Sequence, residues 1–327
     1  MKRRAFMQLG VGSALGAVQA TTGASPLVWT SRTLNAMGTA MRLQLAHSDA
    51  AQAEQALTAA IADIRSIEDQ MSLFRPDSAL CQLNRTGVLT QAPADLLQVL
   101  HIAQQVSERS LGAFDITVQP LWLAFEAARQ QNRLPTAAEV SAARSKVDWR
   151  GVQVRGDTVR LKQRGMALTL NGIAQGYAAD KVRARLQALG VQHALVDAGE
   201  YAALGHAEHV GDWTLGVASP RGSHALLAGI AMQGRCVATS ADDQCSFSAD
   251  YVNHHIFDPR TGYSPQALSS VSVMADSAVQ ADAITKVIFM SGYEQALSLA
   301  KAWGVEILVV DKHGRWQASV GLPLRAV

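Results

Sequence analysis

Two adjacent histidines and an aspartate near the C-terminal end are the residues whose types and spacing favour catalysis. They lie in the stretch Asn253-His254-His255-Ile256-Phe257-Asp258-Pro259-Arg260-Thr261-Gly262. Pro259 has a restricted φ and favours an extended backbone at Asp258, and Gly262 can close a tight turn. The pattern predicts a strand that delivers His255 and Asp258 to a loop, where side chains are available for chemistry. A β-turn that carries a half-exposed histidine accounts for the same residues.

The composition of the 327 residues is that of a globular protein. Hydrophobic residues make up 48% and charged residues 17%, which allows a substantial core in one large domain or two interleaved halves. The net charge is +2 and no Lys/Arg-rich run follows the N-terminus, which argues against a nucleic-acid partner. The cysteines, Cys81, Cys236 and Cys245, are odd in number, so at least one is unpaired within the chain.

The N-terminus has the three regions of an export signal. Lys2-Arg3-Arg4 precedes an apolar run over 9–18, and Val18-Gln19-Ala20 is a candidate cleavage site. The arginine pair followed by Ala-Phe-Met resembles a twin-arginine signal. The apolar run is too short to span a bilayer as a helix. We therefore expect 1–20 to be a signal peptide and 21–327 to form a single domain that is soluble and periplasmic.

Helices and short strands are both predicted along the rest of the chain. Apolar residues at spacings of three and four, from Leu57 to Met71, predict a helix over 50–71. Periodicity and capping residues predict further helices over 94–109, 136–146, 174–189, 278–290 and 293–303. They also predict strands on either side of 36–39 and over 152–155, 158–162, 166–170, 193–197, 213–218, 226–232, 271–274 and 305–310. This mixture predicts an α+β fold with antiparallel strands.

Six motifs follow one another in order between residues 37 and 292. They are Met37-Gly38-Thr39; Met71-Ser72-Leu73-Phe74 with Ser78 and Asn84; Gly112-Ala113-Phe114-Asp115-Ile116-Thr117 with Pro120-Leu121; Gly172-Ile173-Ala174-Gln175-Gly176-Tyr177-Ala178-Ala179-Asp180; His255 to Gly262; and Ala281-Asp282-Ala283 with Gly292. Each motif is weak alone. In this order and spacing they make the chain resemble the ApbE-type FAD:protein FMN transferase family, which implies antiparallel sheets with flanking helices.

The resemblance implies an enzyme that binds FAD with Mg²⁺ and splits the FAD pyrophosphate. The enzyme would attach FMN to a Thr hydroxyl of an acceptor flavoprotein, soluble or membrane-bound, and release AMP. Such a phosphoryl transfer needs a cation at the phosphate oxygens, an aligned nucleophile and a group that takes its proton. Hard oxygen ligands suit Mg²⁺.

The family pattern also implies roles for individual residues. The FAD site would be lined by Met37, Phe74, Ala113, Phe114 and Asp115, and Thr169 stands where the family usually has an Asp at the ribose or adenine side. Asp282 would bind the metal together with the backbone carbonyl of Gly172. His255 would be the base or would position the acceptor, and Asp258 would support it. Packing in the core is the alternative for Met37 and Phe74.

Lys286 departs from the family one helical turn after Asp282, where a Thr usually adds a Mg²⁺ ligand. Three interpretations are open. Thr285, the neighbouring residue on the helix, replaces the missing ligand. Alternatively, the Lys286 ammonium occupies the position of the cation, or Lys286 extends to solvent and the metal uses other ligands.

Three functions are compatible with these residues. The first is an exported, Mg²⁺-dependent FAD:protein FMN transferase. The second is a flavin-binding accessory protein without transferase activity, in which Lys286 replaces the metal. The third is an FAD pyrophosphatase that releases free FMN because water is the nucleophile.

Overall fold

The computed structural model describes residues 26–208, 211–222 and 225–326. The α-helices within them are α1 Ala50–Met71, α2 Ala79–Thr86, α3 Ala94–Arg109, α4 Gln119–Arg129, α5 Ala137–Arg144, α6 Ala174–Ala188, α7 Ala278–Ser291 and α8 Ala296–Trp303. The strands are β1 Val28–Ala36, β2 Thr39–His47, β3 Val88–Leu89, β4 Val152–Arg155, β5 Thr158–Leu161, β6 His193–Asp197, β7 Tyr201–Leu204, β8 Thr214–Ala218, β9 Leu226–Ala231, β10 Cys236–Ala241, β11 Leu268–Ala275, β12 Glu306–Asp311, β13 Trp316–Ala318 and β14 Leu324–Arg325. The export signal predicted over 1–20 lies outside the described residues.

The largest sheet has eight strands in the order β1-β2-β6-β7-β10-β11-β12-β13. Its neighbouring strands are all antiparallel. Two three-stranded antiparallel sheets, β14-β9-β8 and β3-β5-β4, accompany it. The predicted α+β fold of antiparallel sheets with flanking helices is therefore confirmed.

The large sheet is covered on both faces at its strand β11. Val271 and Val273 of β11 pack with apolar side chains of α7 and α8. Met274 packs on the other face with side chains of β8 and β9. Successive residues of a strand point to opposite faces, so this strand contributes to two cores at once. A larger core cluster lies where α1 and α6 pack against β2 and β6, with α3 packed against α1.

Helices α6 and α7 are joined by a carboxylate at a helix N-terminus. The side chain of Asp180, on α6, accepts hydrogen bonds from the Ser277 hydroxyl at 2.7 Å and from the backbone N–H groups of Ala278 and Val279 at 2.9 Å each. A carboxylate here satisfies N–H groups that have no partner within the helix, and it interacts favourably with the helix dipole. The first turn of α7 is therefore held against α6.

Most predicted helices are confirmed, and the residues that begin them explain why they form. The Asp49 side chain caps α1 by accepting from the N–H groups of Ala51 at 2.8 Å and Gln52 at 3.2 Å. Thr136 and Glu139 form a reciprocal capping box at the start of α5. The helix expected over 293–303 begins later, at Ala296. Among the described residues, no helix has the length and apolar character needed to cross a membrane.

The strand predicted over 166–170 is wrong. Its backbone groups pair individually instead of forming a ladder: the Asn84 side chain accepts from Leu168 N at 2.7 Å and donates to Leu168 O at 2.9 Å. The N–H of Thr169 donates to Ile116 O at 2.8 Å. An alternating apolar pattern does not distinguish a strand from an extended segment whose backbone is bonded by side chains.

The strand expected to lead into His255 and Asp258 is also wrong. It is reduced to a single bridge between Ser246 and His254. The Ser264 hydroxyl takes the N–H of His254 at 2.9 Å, which removes that donor from any ladder. The expected turn does form, because the N–H groups of Thr261 and Gly262 donate to Asp258 O at 3.2 and 2.8 Å. His255 and Asp258 therefore lie on an irregular loop.

Candidate functional site

A buried ion pair lies where α7 faces the segment before α6. The Lys286 ammonium lies 2.5 Å from Oδ1 of Asp282 and donates to the Asp282 carbonyl oxygen at 3.1 Å. Oδ2 of Asp282 accepts the backbone N–H of Gly176 at 3.2 Å. The side chain of Asp282 is 1% exposed and that of Lys286 is 19% exposed. The ammonium therefore lies between a buried carboxylate and solvent.

Gly172 lies directly against the Lys286 side chain. A Cβ atom on Gly172 would lie 2.8 Å from Cε of Lys286 and 3.4 Å from its Nζ. The structure therefore brings together two of the three residues predicted as metal ligands, Gly172 and Asp282, and the lysine contacts both.

The third predicted metal ligand, Thr285, turns toward the sheet. Its hydroxyl donates to the Asp282 carbonyl oxygen at 2.7 Å and lies 2.8 Å from the Ser240 hydroxyl of β10. Thr285 is fully buried between α7 and the sheet. The contacts of its hydroxyl are thus made away from the Asp282 carboxylate.

These residues do not fit Mg²⁺ as they stand. The ion prefers about six oxygen ligands in octahedral geometry at roughly 2.1 Å. Here the Asp282 oxygens receive hydrogen bonds from an ammonium and a backbone N–H. No group of three or more His, Cys, Asp or Glu side chains that could hold a metal occurs in the part of the chain that the structure describes. A divalent ion at Oδ1 would have to displace Lys286.

Met37 and Phe74, both predicted at the FAD site, lie together at the β1–β2 turn. Met37 has φ +50° and Gly38 has φ +79°, as a type I′ hairpin requires. A Cβ on Gly38 would lie 2.5 Å from Cε2 of Phe74, so the ring covers this glycine. Phe74 is 54% exposed, which leaves an aromatic surface available beside the turn.

Glu68 of α1 holds the unusual backbone of Met37. The Met37 N–H donates to Oε1 of Glu68 at 2.7 Å, and Arg65 donates to Oε2 at 2.7 Å. Burial raises the pKa of the Glu68 carboxyl, yet the hydrogen bond from Met37 and the contacts with Arg65 and Arg75 outweigh burial and bring the pKa below its ordinary value. Sequence reasoning missed Glu68, whose signal is an acidic residue between the buried positions of an amphipathic helix.

Ala113, Phe114 and Asp115 form a short loop with mixed roles. Phe114 is buried in the main core. The Asp115 carboxylate accepts from the Thr117 N–H at 2.7 Å, the Thr117 hydroxyl at 2.6 Å and the Trp149 N–H at 3.0 Å. Burial raises the pKa of Asp115 above its ordinary value, although these hydrogen bonds oppose the shift.

Thr169 joins the Asp115 loop to Gly172. Its N–H donates to Ile116 O at 2.8 Å, and its hydroxyl accepts from the N–H of Asn171 at 3.3 Å. The segments that carry Asp115, Thr169, Gly172 and Asp282 are thus neighbours, although they are distant in sequence.

The histidine pair divides into one buried and one half-buried ring. His254 is fully buried, its Nε2 lies 3.3 Å from Pro265 O, and its ring packs against Phe289 of α7 at 5.8 Å between centroids. Burial and the neighbouring His255 lower the pKa of His254 to about 3. The ring of His255 lies with Nδ1 3.2 Å from Cys245 O. A carbonyl only accepts, so Nδ1 carries a proton, and in the neutral imidazole the lone pair is then on Nε2.

Asp258 is held by the turn that follows it. Its carboxylate receives hydrogen bonds from Nε and Nη2 of Arg260 at 2.9 and 2.8 Å, and from the Arg260 N–H at 2.9 Å. The support that Asp258 was expected to give to His255 stays a prediction.

The sequence matches known proteins along most of its length. The sequence model of the ApbE family matches residues 37–309. The chain is 30% identical over 315 residues to the FAD:protein FMN transferase of Treponema pallidum, with 89% of this chain and 87% of the relative covered. It is 27% identical over 325 residues to the FAD:protein FMN transferase of Salmonella typhimurium, with 95% and 91% covered.

Solved structures agree with this match. The ApbE protein of Thermotoga maritima superposes with a TM-score of 0.81 at 26% identity, over 90% of this chain and 97% of the other. The apo form of the flavinyl transferase ApbE of Pseudomonas stutzeri superposes with a TM-score of 0.79 at 26% identity, over 92% and 98%. The fold, antiparallel sheets with flanking helices, is thus that of these ApbE structures. The chain belongs to the ApbE family.

Proposed function

We propose that this protein transfers FMN from FAD to a Thr hydroxyl of an acceptor flavoprotein and releases AMP. The relatives named FAD:protein FMN transferase support flavin transfer. The observation that carries the proposal for this chain is the convergence of Asp115, Thr169, Gly172 and Asp282 on neighbouring segments beside the N-terminus of α6.

In the reaction, the Thr oxygen attacks the phosphorus of the FMN half of FAD. The bond from this phosphorus to the bridging oxygen breaks, and AMP leaves with that oxygen. The Thr proton must go to a base. We assign this role to Nε2 of His255, because its other ring nitrogen, Nδ1, donates to Cys245 O. Such transfers depend mainly on positioning and on charge at the phosphates.

The exposed ring of Phe74 and the Met37 turn offer an apolar surface for a flavin or adenine ring. The resemblance also predicts that Mg²⁺ accompanies FAD, with Gly172 and Asp282 as ligands. Mg²⁺ dependence stays a prediction, and the ion pair at Asp282 argues against it. We further propose that the reaction takes place in the periplasm after twin-arginine export, on acceptors that are soluble or membrane-bound.

The test is incubation of the purified protein with FAD and an acceptor domain, with and without Mg²⁺. We expect flavin fluorescence on the denatured acceptor, a mass increase equal to one FMN, and AMP in equal amount. A Thr→Ala acceptor is the control for the site, and His255→Asn should lower the rate of transfer without lowering FAD binding. Absence of both products, under conditions in which a relative from the same family is active, would refute the proposal.

A second function is favoured by the Lys286–Asp282 contact, namely FAD binding without transfer. In that case FAD binds, but neither AMP nor a modified acceptor appears. Free FMN together with AMP, in the absence of modified acceptor, would instead identify an FAD pyrophosphatase.

A further inference from the structure

We propose that Lys286 is the resident cation of this site: its ammonium, beside Asp282 and Gly172, binds the pyrophosphate oxygens of FAD in place of a divalent metal. The proposal rests on the proposed function in one respect, that FAD is the ligand. It would hold for a transferase and for a protein that only binds FAD.

The ammonium lies on the solvent side of the buried Asp282 carboxylate. It contacts both Oδ1 and the carbonyl oxygen of Asp282, at 2.5 and 3.1 Å. Because Asp282 is 1% exposed and Lys286 is 19% exposed, a ligand that arrives from solvent meets the ammonium before the carboxylate. An ammonium has three N–H donors. Two of them are used by Asp282, so one remains for an oxygen of the ligand.

The surrounding backbone is shaped for this lysine. Gly172 has no Cβ, and a Cβ there would lie 2.8 Å from Cε of Lys286. The N–H of Gly176 donates to Oδ2, the other carboxylate oxygen of Asp282. Asp180 anchors the first turn of α7 to α6 through Ser277, so Asp282 and Lys286 keep their positions relative to Gly172. Lys286 is therefore held between two direct neighbours, Gly172 at Cε and Asp282 at the ammonium.

The two other interpretations, a solvent-exposed Lys286 and a metal bound by Thr285, do not agree with these contacts. A lysine that extends to solvent would be far more exposed than 19% and would not lie 2.5 Å from a buried carboxylate. Replacement of the missing metal ligand by Thr285 would require its hydroxyl to leave Ser240, 2.8 Å away on the sheet.

Charge sets the expected behaviour of the site. An Asp with a divalent ion carries one net positive charge, whereas an Asp with a Lys is neutral. The Lys286 site therefore holds a pyrophosphate through hydrogen bonds to an ammonium and carries less positive charge than a metal site would. The ammonium occupies the carboxylate oxygen that a metal ion would need, so FAD binds without a metal ion. Chelators should therefore leave FAD binding unchanged.

The test is calorimetric titration of FAD into the mature protein, in EDTA and in Mg²⁺. For the wild type we expect dissociation constants that agree within about twofold between the two buffers. Lys286→Thr should bind FAD at least ~10-fold more weakly in EDTA and recover affinity in Mg²⁺, because the carboxylate is then open to the metal. Lys286→Arg keeps the charge and should stay insensitive to chelation. Lys301→Thr, which removes an exposed lysine of α8, is the matched control and should behave as the wild type.

A second measurement does not depend on FAD. Mn²⁺ is titrated into the wild type and into Asp282→Asn, and bound Mn²⁺ is measured by electron paramagnetic resonance. We expect the two proteins to bind the same amount of Mn²⁺, because Asp282 holds no metal ion in the wild type. A Mn²⁺ site in the wild type that Asp282→Asn abolishes would overturn the proposal, as would a wild-type FAD affinity that falls ~10-fold or more in EDTA. FAD binding that survives chelation without any transfer product would refute only the transferase function. Absence of FAD binding in every buffer, with the protein folded, would refute both.

Discussion

The backbone N–H of Gly176 donates to Oδ2 of Asp282 at 3.2 Å, and this contact joins the first turn of α6 to α7. The two residues are 106 positions apart in sequence. Ile173, the N-cap residue of α6, provides no side-chain cap. The bond to Asp282 therefore supplies an acceptor from another helix for one N–H group of the first turn of α6. It also orients the carboxylate so that its second oxygen faces Lys286.

Gly176→Ala should separate these two helices. A Cβ there would lie 2.8 Å from Cβ of Asp282 and would also collide with the backbone of Ala278, neither of which can rotate away. We expect a loss of about 1–3 kcal/mol in the free energy of unfolding, measured with urea. Gly172→Ala is the matched variant, because its Cβ meets the flexible end of Lys286 and the loss should be smaller. Equal losses would show that Gly176 does not set the spacing of α6 and α7.

The Lys286–Asp282 pair should show strong energetic coupling. Lys286→Met leaves a carboxylate that is 1% exposed without its cation, which typically costs about 3–5 kcal/mol. The double variant Lys286→Met with Asp282→Asn should recover part of this loss, since no unpaired charge remains. The free energies of unfolding of the four proteins in the cycle measure the coupling.

The Lys181–Asp95 pair is the control for that cycle. It has the same 2.5 Å separation, but its side chains are 27% and 19% exposed. Because solvent screens exposed charges, its coupling energy should be smaller. A Lys286–Asp282 coupling no larger than this control would mean that burial does not strengthen the ion pair.

Glu68→Ala should loosen the turn that carries Met37. The change removes the acceptor 2.7 Å from the Met37 N–H, and we expect a loss of about 1–3 kcal/mol. The pKa of Glu68 is below the 4.5 of the unfolded chain, so its contribution to stability is present at neutral pH and is lost as the pH falls below 4.5.

Hydrogen exchange at Met37 and FAD titration measure the effect of Glu68→Ala. Glu68→Gln keeps an oxygen acceptor and should protect the Met37 amide better. If the exchange of Met37 accelerates in Glu68→Ala while FAD affinity is unchanged, the turn has no part in FAD binding.

His254 should make the protein less stable in mild acid. Its pKa is lowered to about 3 in the folded protein from 6.5 in the unfolded chain, chiefly by burial, with smaller contributions from His255 and Lys312. Between these values the unfolded state binds more protons, so stability falls as the pH decreases from 6.5, by at most ~1.4 kcal/mol per pH unit.

Urea unfolding at about pH 7.5, 6.0 and 5.0 tests this slope. His254→Gln keeps an amide N–H for Pro265 O and should reduce the pH dependence. His101→Gln, on the exposed face of α3, is the control and should leave the slope as in the wild type. An unchanged slope in His254→Gln would show that other groups cause the acid sensitivity.

Local features of the sequence determined most of the elements. The apolar spacing of α1, the Thr136–Glu139 box of α5 and the Met37-Gly38 turn each depend on residues close together in the chain. The order of the six motifs also determined the family. The helix α4 was missed, although Pro120 in its first turn was a usable signal.

Only the tertiary structure decided which contacts the site residues make. The segment 166–170 is not a strand because Asn84, far away in the chain, bonds its backbone. The sequence left three interpretations of Lys286 open, because spacing on a helix does not say what lies opposite it. The packing of α6 against α7 supplies that answer: it buries Asp282, it places the Cβ-less backbone of Gly172 against the lysine, and a buried carboxylate retains the nearest cation.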